Sequence, residues 1–234
     1  MKTDVTITWL GHSCFALEEN DYRIILDPYL EGTVPGYEPL SVAAEQTFCS
    51  HEHDDHGGES HGGDAVGLRF RSEEPEDPWK VTEIHSFHDQ NRGKDRGENI
   101  IRIFDDGKYR IAHMGDLGCR PENDQMELLK NLDVCLVPVG GFFTLPPEEV
   151  KEIMDALSPV IVVPMHYRFE GHGYGMIGTL VEYLKLLNAD EVARYEGRTL
   201  RLPEDLKKQT AVLTYEGSSM PLSNEPVTPK WHYE

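Results

Sequence analysis

The segment FCSHEHDDHGGESHGGDA, from Phe48 to Ala65, crowds His51, His53, His56 and His61 among acidic side chains just after an apolar run. A solvated acidic turn would account for the carboxylates. It does not account for histidines spaced as H-x-H-x-D-H over His51, His53, Asp55 and His56. Imidazole is the commonest metal ligand, and a mixed set of imidazole and carboxylate suits divalent zinc, manganese, iron or nickel. In extended backbone, residues two apart project to the same side, so His51 and His53 can grip one ion. The turn that follows re-aims Asp55 and His56 toward a second. Such a loop cannot complete two sites, because a catalytic ion needs about three protein ligands and an open position for water.

The missing ligands are expected where later strands end. His88 in IHSFHDQ, Asp116 in AHMGDLG and His166 in VPMHYRF each follow an apolar run. Strand patterns open the chain at VTITWL (Val5 to Leu10), CFAL (Cys14 to Leu17), YRIILD (Tyr22 to Asp27) and EQTFCS (Glu45 to Ser50). VTEIHSF, NIIRIFD and YRIAHMGD follow, the last two joined by a DDG hairpin turn at Asp105 to Gly107. Strand and helix then alternate. Helices are predicted over Pro121 to Leu132, Pro146 to Leu157 and Met176 to Asn188, around buried strands DVCLVPV and VIVVPMH. Two halves, each giving strands to a sheet and helices to its outer face, predict an α/β protein built as a four-layer α/β/β/α sandwich. One domain is expected over residues 1–215, with 216–234 as an extended, Pro- and Ser-rich tail.

With 42 acidic against 22 basic residues in 234, the net charge of -20 disfavours long nucleic acids and anionic membranes. A metal centre reverses that field locally, so a small anionic substrate remains compatible. No apolar run reaches membrane-span length, and the opening MKTDVTITWLGHSCF enters a strand alternation at once, so a cytoplasmic location is expected. Cys14, Cys49, Cys119 and Cys135 form no C-x-x-C pair and read as reduced thiols. Strand alternation favours a buried thiol at Cys49 over a ligand.

Taken together, TWLGHSCF, ILDP, HEHDDH, FHD, MGDLG, PVGGFFTL and VPMHY make the chain resemble the metallo-β-lactamase-fold hydrolases. It looks closest to the branch that opens on WLGHS and includes ascorbate-6-phosphate lactonase-like and N-acylphosphatidylethanolamine phospholipase D-like proteins. The resemblance implies that His51, His53 and His88 bind one ion and Asp55, His56 and His166 the other. Asp116 would bridge them, and Asp27 of LDP would hold the loop from behind. His85 competes with His88, which is preferred for its place at the strand end. An acidic insertion around Glu73 to Asp77 and the GESHGGD segment depart from the branch, which puts its substrates in doubt for this chain.

The expected chemistry is hydrolysis. Two divalent ions, zinc foremost, with manganese, iron or nickel as alternatives, would acidify a bridging water and polarise the substrate oxygen. The sequence around Ser13 and Cys14 lacks the glycine pattern of a nucleophile elbow. Asp55 and His12 are the candidate catalytic residues. His12 sits in the WLGH turn, where a structural hydrogen bond is an equal reading; Tyr167 or a metal-bound water could also give the leaving group its proton. His113 reads as structural, His61 and His172 as loop histidines, and His232 as part of the tail. The substrate is expected to be a small, anionic lactone, ester, amide or phosphodiester. Two other classes stay open: a mononuclear iron dioxygenase acting on thiols, and a non-enzymatic metal-binding protein. Oxygen-reducing di-iron proteins of this fold fit less well, since they carry a carboxylate where His53 stands and a flavin domain that this chain has no residues to form. Self-association into a homo-oligomer, with the segment from Glu216 packed on a neighbour, is also left open.

Overall fold

The structure, a computed structural model, describes residues 4–57, 68–70 and 76–215. β1 (Val5–Gly11), β2 (Cys14–Glu19) and β3 (Tyr22–Leu26) form an antiparallel meander, to which β5 (Gln46–Phe48) adds parallel to β3. In β1 the pleat sends Val5, Ile7 and Trp9 into the core, while Thr6 and Thr8 stay half-buried. β4 (Val42–Ala44) pairs with β6 (Leu68–Phe70) as a separate two-stranded ribbon.

A second sheet starts with β7 (Lys80–Phe87), β8 (Glu98–Asp105) and β9 (Arg110–His113), all antiparallel neighbours. The turn before β9 is fixed by Asp106, whose carboxylate accepts from the backbone N–H groups of Lys108 and Tyr109. β10 (Val134–Pro138) and β11 (Ile161–Met165) then join in parallel, and every residue of both is buried, as strands covered on two faces should be. Between them runs α2 (Pro147–Leu157). Its Val150, Ile153, Met154 and Leu157 fall on one buried stripe, and Ser158 ends it in the left-handed conformation.

The sheet orders are β13-β1-β2-β3-β5 and β12-β14-β11-β10-β9-β8-β7, the two sheets of the α/β sandwich. Five short strands were not predicted from the sequence: β4, β6, β12 (Val192–Arg194), β13 (Thr199–Leu202) and β14 (Gln209–Val212). β13 returns to the first sheet, pairing Leu202 with Val5 and Leu200 with Ile7, so the sheets do not divide the chain into consecutive halves.

The helices are shorter than predicted. α1 spans Asn123–Leu128, starting only after Glu122, whose capping box with Gln125 sets the boundary. α3 spans Leu180–Leu184, because Thr179 and Glu182 form a capping box and Gly178 N–H is bonded to the Gly140 carbonyl at 2.6 Å. Among the described residues no helix is long and apolar enough to cross a membrane. The GESHGGD segment, residues 73–75 of the acidic insertion, and the predicted tail lie outside the described residues.

This topology places the site. β7, β9, β10 and β11 run in one direction, so their C-terminal ends share an edge, where ligands gather in sheets of this kind. His88, Asp116 and His166 follow three of those ends. β3 and β5 are likewise parallel, delivering Asp27 and the His51 loop together.

Candidate metal centre

Asp27, fully buried behind the loop, organises it. Its carboxylate accepts from Ser50 N–H at 2.6 Å and Ser50 Oγ–H at 2.7 Å, and lies 2.7 Å from His56 Nδ1. Ser50 Oγ also lies 2.9 Å from His51 Nδ1. One buried carboxylate therefore orients two imidazoles and turns the Nε2 atom of each away from itself. The turn that re-aims the chain is closed by His56 N–H donating to the His53 carbonyl at 2.8 Å.

Two groups of donors result. The rings of His51, His53 and His88 lie with centroids 4.6 to 5.2 Å apart, and one ligand atom from each falls within 4.8 Å of the others. His12, Asp55, His56 and His166 satisfy the same criterion. Asp116 touches both groups: Oδ1 is 3.1 Å from His56 Nε2, while Oδ2 is 3.3 Å from His88 Nε2 and 3.2 Å from His166 Nε2. It is held by its N–H donating to Asn99 Oδ1 at 2.9 Å. Gly115 before it has φ +56, and a Cβ there would strike Asn99 and Ser50, so only glycine fits.

Backbone strain collects here. His12, Asp27 and His166 have φ values of 50, 45 and 52, in the left-handed region that non-glycine residues rarely enter. Each is fixed by tertiary contacts: Trp9 Nε1–H donates to the His12 carbonyl at 2.9 Å, and His166 N–H donates to the same oxygen at 3.4 Å.

Electrostatics divide the histidines. Burial pushes His12 down to about 4, with His166 adding to the effect, and His51 down to about 3; His88 is lowered for the same reason. These rings are neutral near pH 7 and offer lone pairs. His56 is raised although burial opposes it, because Asp116, Asp55 and Asp27 surround it. Asp27 is held at about 2, burial being outweighed by His113 and His56 together. Asp116 is held well below the carboxylate range, burial being outweighed by His166 and His56.

The donors fit divalent cations. His51 Nε2, His56 Nε2, Asp116 Oδ1 and both ring nitrogens of His166 are buried without a hydrogen-bond partner. Where the lowered His88 ring meets Asp116, a neutral imidazole nitrogen facing a carboxylate oxygen sets lone pair against lone pair unless a proton or cation lies between them. A converging set of such atoms is expensive to bury in any other role.

All seven predicted ligands come together in these groups, and Asp27 stands behind them as the resemblance implied. His85 is exposed. His113 is structural, its Nε2 being 2.9 Å from the Ser13 carbonyl and its Nδ1 accepting from Gly115 N–H at 3.1 Å. His172 stacks on Phe169 at 4.6 Å. Cys49 is half-buried and belongs to neither group; His61 and His232 lie outside the described residues.

Tyr167, one of three candidate proton donors, packs in the aromatic core against Trp9 and Phe169 at 5.8 and 5.9 Å. Tyr174 is the tyrosine beside the donors, its half-buried ring 5.7 Å from His12. Sequence reading missed it because a lone tyrosine in HGYGM has no pattern; its only signal is the flanking glycines.

A family described as Beta-lactamase superfamily domain matches residues 6–166. A UPF0173 metal-dependent hydrolase of Korarchaeum cryptofilum is 30% identical over 192 residues, covering 70% of this chain and 83% of the relative. Another, from Desulforamulus reducens, is 27% identical over 193 residues, covering 69% and 83%. Among solved structures, a Thermotoga maritima protein proposed to be a Zn-dependent hydrolase of the metallo-β-lactamase superfamily is 32% identical. It aligns with a TM-score of 0.67 over 89% of this chain and 97% of its own. Igni18, a metallo hydrolase from Ignicoccus hospitalis, shares the fold at 22% identity and a TM-score of 0.55, over 70% of this chain and 83% of its own. The matched span carries every donor described above, and the chain belongs to the β-lactamase superfamily, among its UPF0173 metal-dependent hydrolases.

Proposed function

We propose that this chain hydrolyses a small anionic lactone, ester or phosphodiester at a centre of two divalent ions. His51, His53 and His88 hold one ion, Asp55, His56 and His166 the other, and Asp116 serves both. Zinc is the first choice for this donor set, with manganese, iron and nickel also compatible. One observation carries the reading: seven side chains from four chain segments converge, several with buried and otherwise unpartnered donor atoms. When bound, the ions acidify water and polarise the carbonyl or phosphoryl oxygen.

The chain's own residues prepare that chemistry. Asp27 fixes the ring of His56 directly and that of His51 through Ser50. His12 is wholly buried, and its Nε2 lies 3.2 Å from Asp55 Oδ2. Burial keeps its ring neutral, so in the tautomer protonated at Nε2 it donates to Asp55 and orients the carboxylate. His12 thus acts through Asp55 as a positioning residue. Tyr174 keeps its hydroxyl proton, because burial and then the charges of Asp55 and Asp116 raise it, and it can donate a hydrogen bond toward the donors.

The test is hydrolysis of a panel of lactones, esters and phosphodiesters by zinc- or manganese-loaded protein, alongside elemental analysis. About two ions per chain are expected. Activity should vanish in His51→Ala and Asp116→Ala proteins that remain folded. A saturating content of one ion, unchanged in Asp116→Ala, would sink the binuclear reading. Oxygen consumption with a thiol by iron-loaded protein, without hydrolysis, would replace it with the dioxygenase.

A further inference from the structure

Three loops leave the shared edge of the second sheet and meet above the donors. The first, Asp89 to Gly97, follows His88 and is folded by the Asp89 carboxylate, which accepts from the backbone N–H groups of Asn91, Gly93, Asp95 and Arg96. His88 N–H donates to the Gly97 carbonyl at 3.1 Å, bringing the end of the loop back beside His88. The second loop, Gly140 to Leu145, is pinned by Leu145 N–H donating to the Leu117 carbonyl at 2.9 Å, beside Asp116. The third follows His166 and is joined to the second through Gly178 and Gly140. A Cβ on Gly140 would collide with the His166 carbonyl, so the second and third loops can approach this closely only with glycine there.

What these loops present is unusual for an acidic protein. The ring of Tyr174, beside His12, lies 6.2 Å from Phe143, and Phe143 lies 4.8 Å edge-to-face from Phe142. The Arg96 guanidinium sits over Phe143, 5.4 Å from its centroid, and among the described residues it forms no ion pair. Four large apolar side chains are exposed among the described residues, and two of them, Phe142 at 61% and Met176 at 58%, lie on these joined loops. Phe142 also has φ +59, strained for a bulky residue, which persists only where surrounding structure imposes it. An exposed, strained phenylalanine on the rim of a metal centre has no evident folding role.

We propose that Arg96, Phe142, Phe143, Tyr174 and Met176 form the substrate-recognition wall of this centre. It selects a substrate whose planar, apolar group lies along the aromatic rings and whose negative charge, next to that group, pairs with Arg96. A guanidinium stacked on a ring keeps its N–H edge free for a carboxylate or phosphate, and the ring gives the substrate an apolar surface next to that charge. The inference rests on the hydrolase reading for where the reacting bond lies. It adds the substrate class.

Calorimetry with zinc-loaded protein tests it, using phenylphosphonate and methylphosphonate as probes. Wild type should bind phenylphosphonate about ten-fold more tightly than methylphosphonate. Phe143→Ala should remove most of that ratio and leave methylphosphonate binding in place. Arg96→Gln should weaken both probes by about ten-fold with the ratio preserved, and Arg96→Lys should recover part of the loss. Phe142→Gly relieves the positive φ, so its thermal midpoint should hold or rise while phenylphosphonate binding falls; a merely structural residue would not give that pairing. It also covers a Phe143→Ala that fails to fold. Equal or absent binding of the two probes by wild type, or a ratio unchanged in Phe143→Ala and Phe142→Gly, overturns the wall. So does a wild-type dimer that Phe142→Ser dissociates with both affinities intact, which assigns the patch to self-association. A wild type that shows the expected ratio but hydrolyses nothing instead removes the hydrolase reading and leaves the wall standing.

Discussion

The two donor groups differ in what surrounds them. His51, His53 and His88 form an outer triad of imidazoles with His53 exposed, whereas His12, His56 and His166 are fully buried with Asp55 among them and Asp27 behind. The outer group is an all-imidazole cup whose exposed member, His53, faces water. The inner group concentrates negative charge in a low-dielectric setting, where each carboxylate attracts a cation far more strongly than at the surface. In the proposed centre, accessibility would thus fall to one donor group and cation affinity to the other, with Asp116 in contact with both.

The largest expected effect is at the residue that supports both halves. Asp27→Ala strands Ser50 N–H and the raised His56 in the interior, which should cost about 3–5 kcal/mol in metal-free unfolding. Metal affinity should also fall by about 10- to 100-fold. If chemical denaturation of this variant matches wild type, Asp27 is not the hub described.

Paired substitutions sharpen the contrast. His53→Ala should lower metal content while metal-free stability stays within about 0.5 kcal/mol, since the side chain is exposed. His166→Ala should lower metal content and also destabilise by about 2–3 kcal/mol through the void it opens in packed surroundings. Equal thermal shifts for the two would erase the distinction between an open and a buried half.

The smallest effect is a pH slope. His12 and His51, near 4 and 3 in the fold against 6.5 in the unfolded chain, leave the unfolded chain binding more protons between those values. Metal-free stability should therefore fall as pH drops from 6.5 toward 4. His56 works oppositely: its contribution is complete below 6.5 and is lost as pH rises through its raised value. Asp27, held near 2, adds a loss only below its ordinary 3.8. Melting curves of wild type and His12→Phe across this window should differ in slope, with the variant flatter; parallel curves would contradict the buried neutral ring.

The residues that converge as candidate donors were legible in the sequence because they obey a local rule, a metal-affine side chain just after an apolar strand. The apolar runs themselves marked the strands β1, β2, β3, β5, β7, β8, β10 and β11 to within a residue or two, and β9 to within three. Such local reading failed where tertiary contacts set the outcome. Met176 to Thr179 have helical spacing, yet Gly178 is drawn to Gly140 and the helix starts at Leu180. β12 to β14 are three or four residues long and gain their identity from pairing: β13 with β1, β14 with β11, and β12 with β14. Tyr174 comes beside His12 and Arg96 comes over Phe143 through loop folding, which no periodicity records.

The pairing of β1 with β13 bears on how the molecule is made. During synthesis the strand carrying Val5, Ile7 and Trp9 emerges early, and its partner edge at Leu200 and Leu202 follows nearly two hundred residues later. At ordinary ribosomal speed that interval is about 10–40 s. For that time a hydrophobic strand edge stays open to any neighbouring nascent chain. Chains cut short before Leu202 should therefore be rich in aggregates even though they contain all seven candidate ligands, and a holding chaperone would serve this protein best while that edge is unpaired.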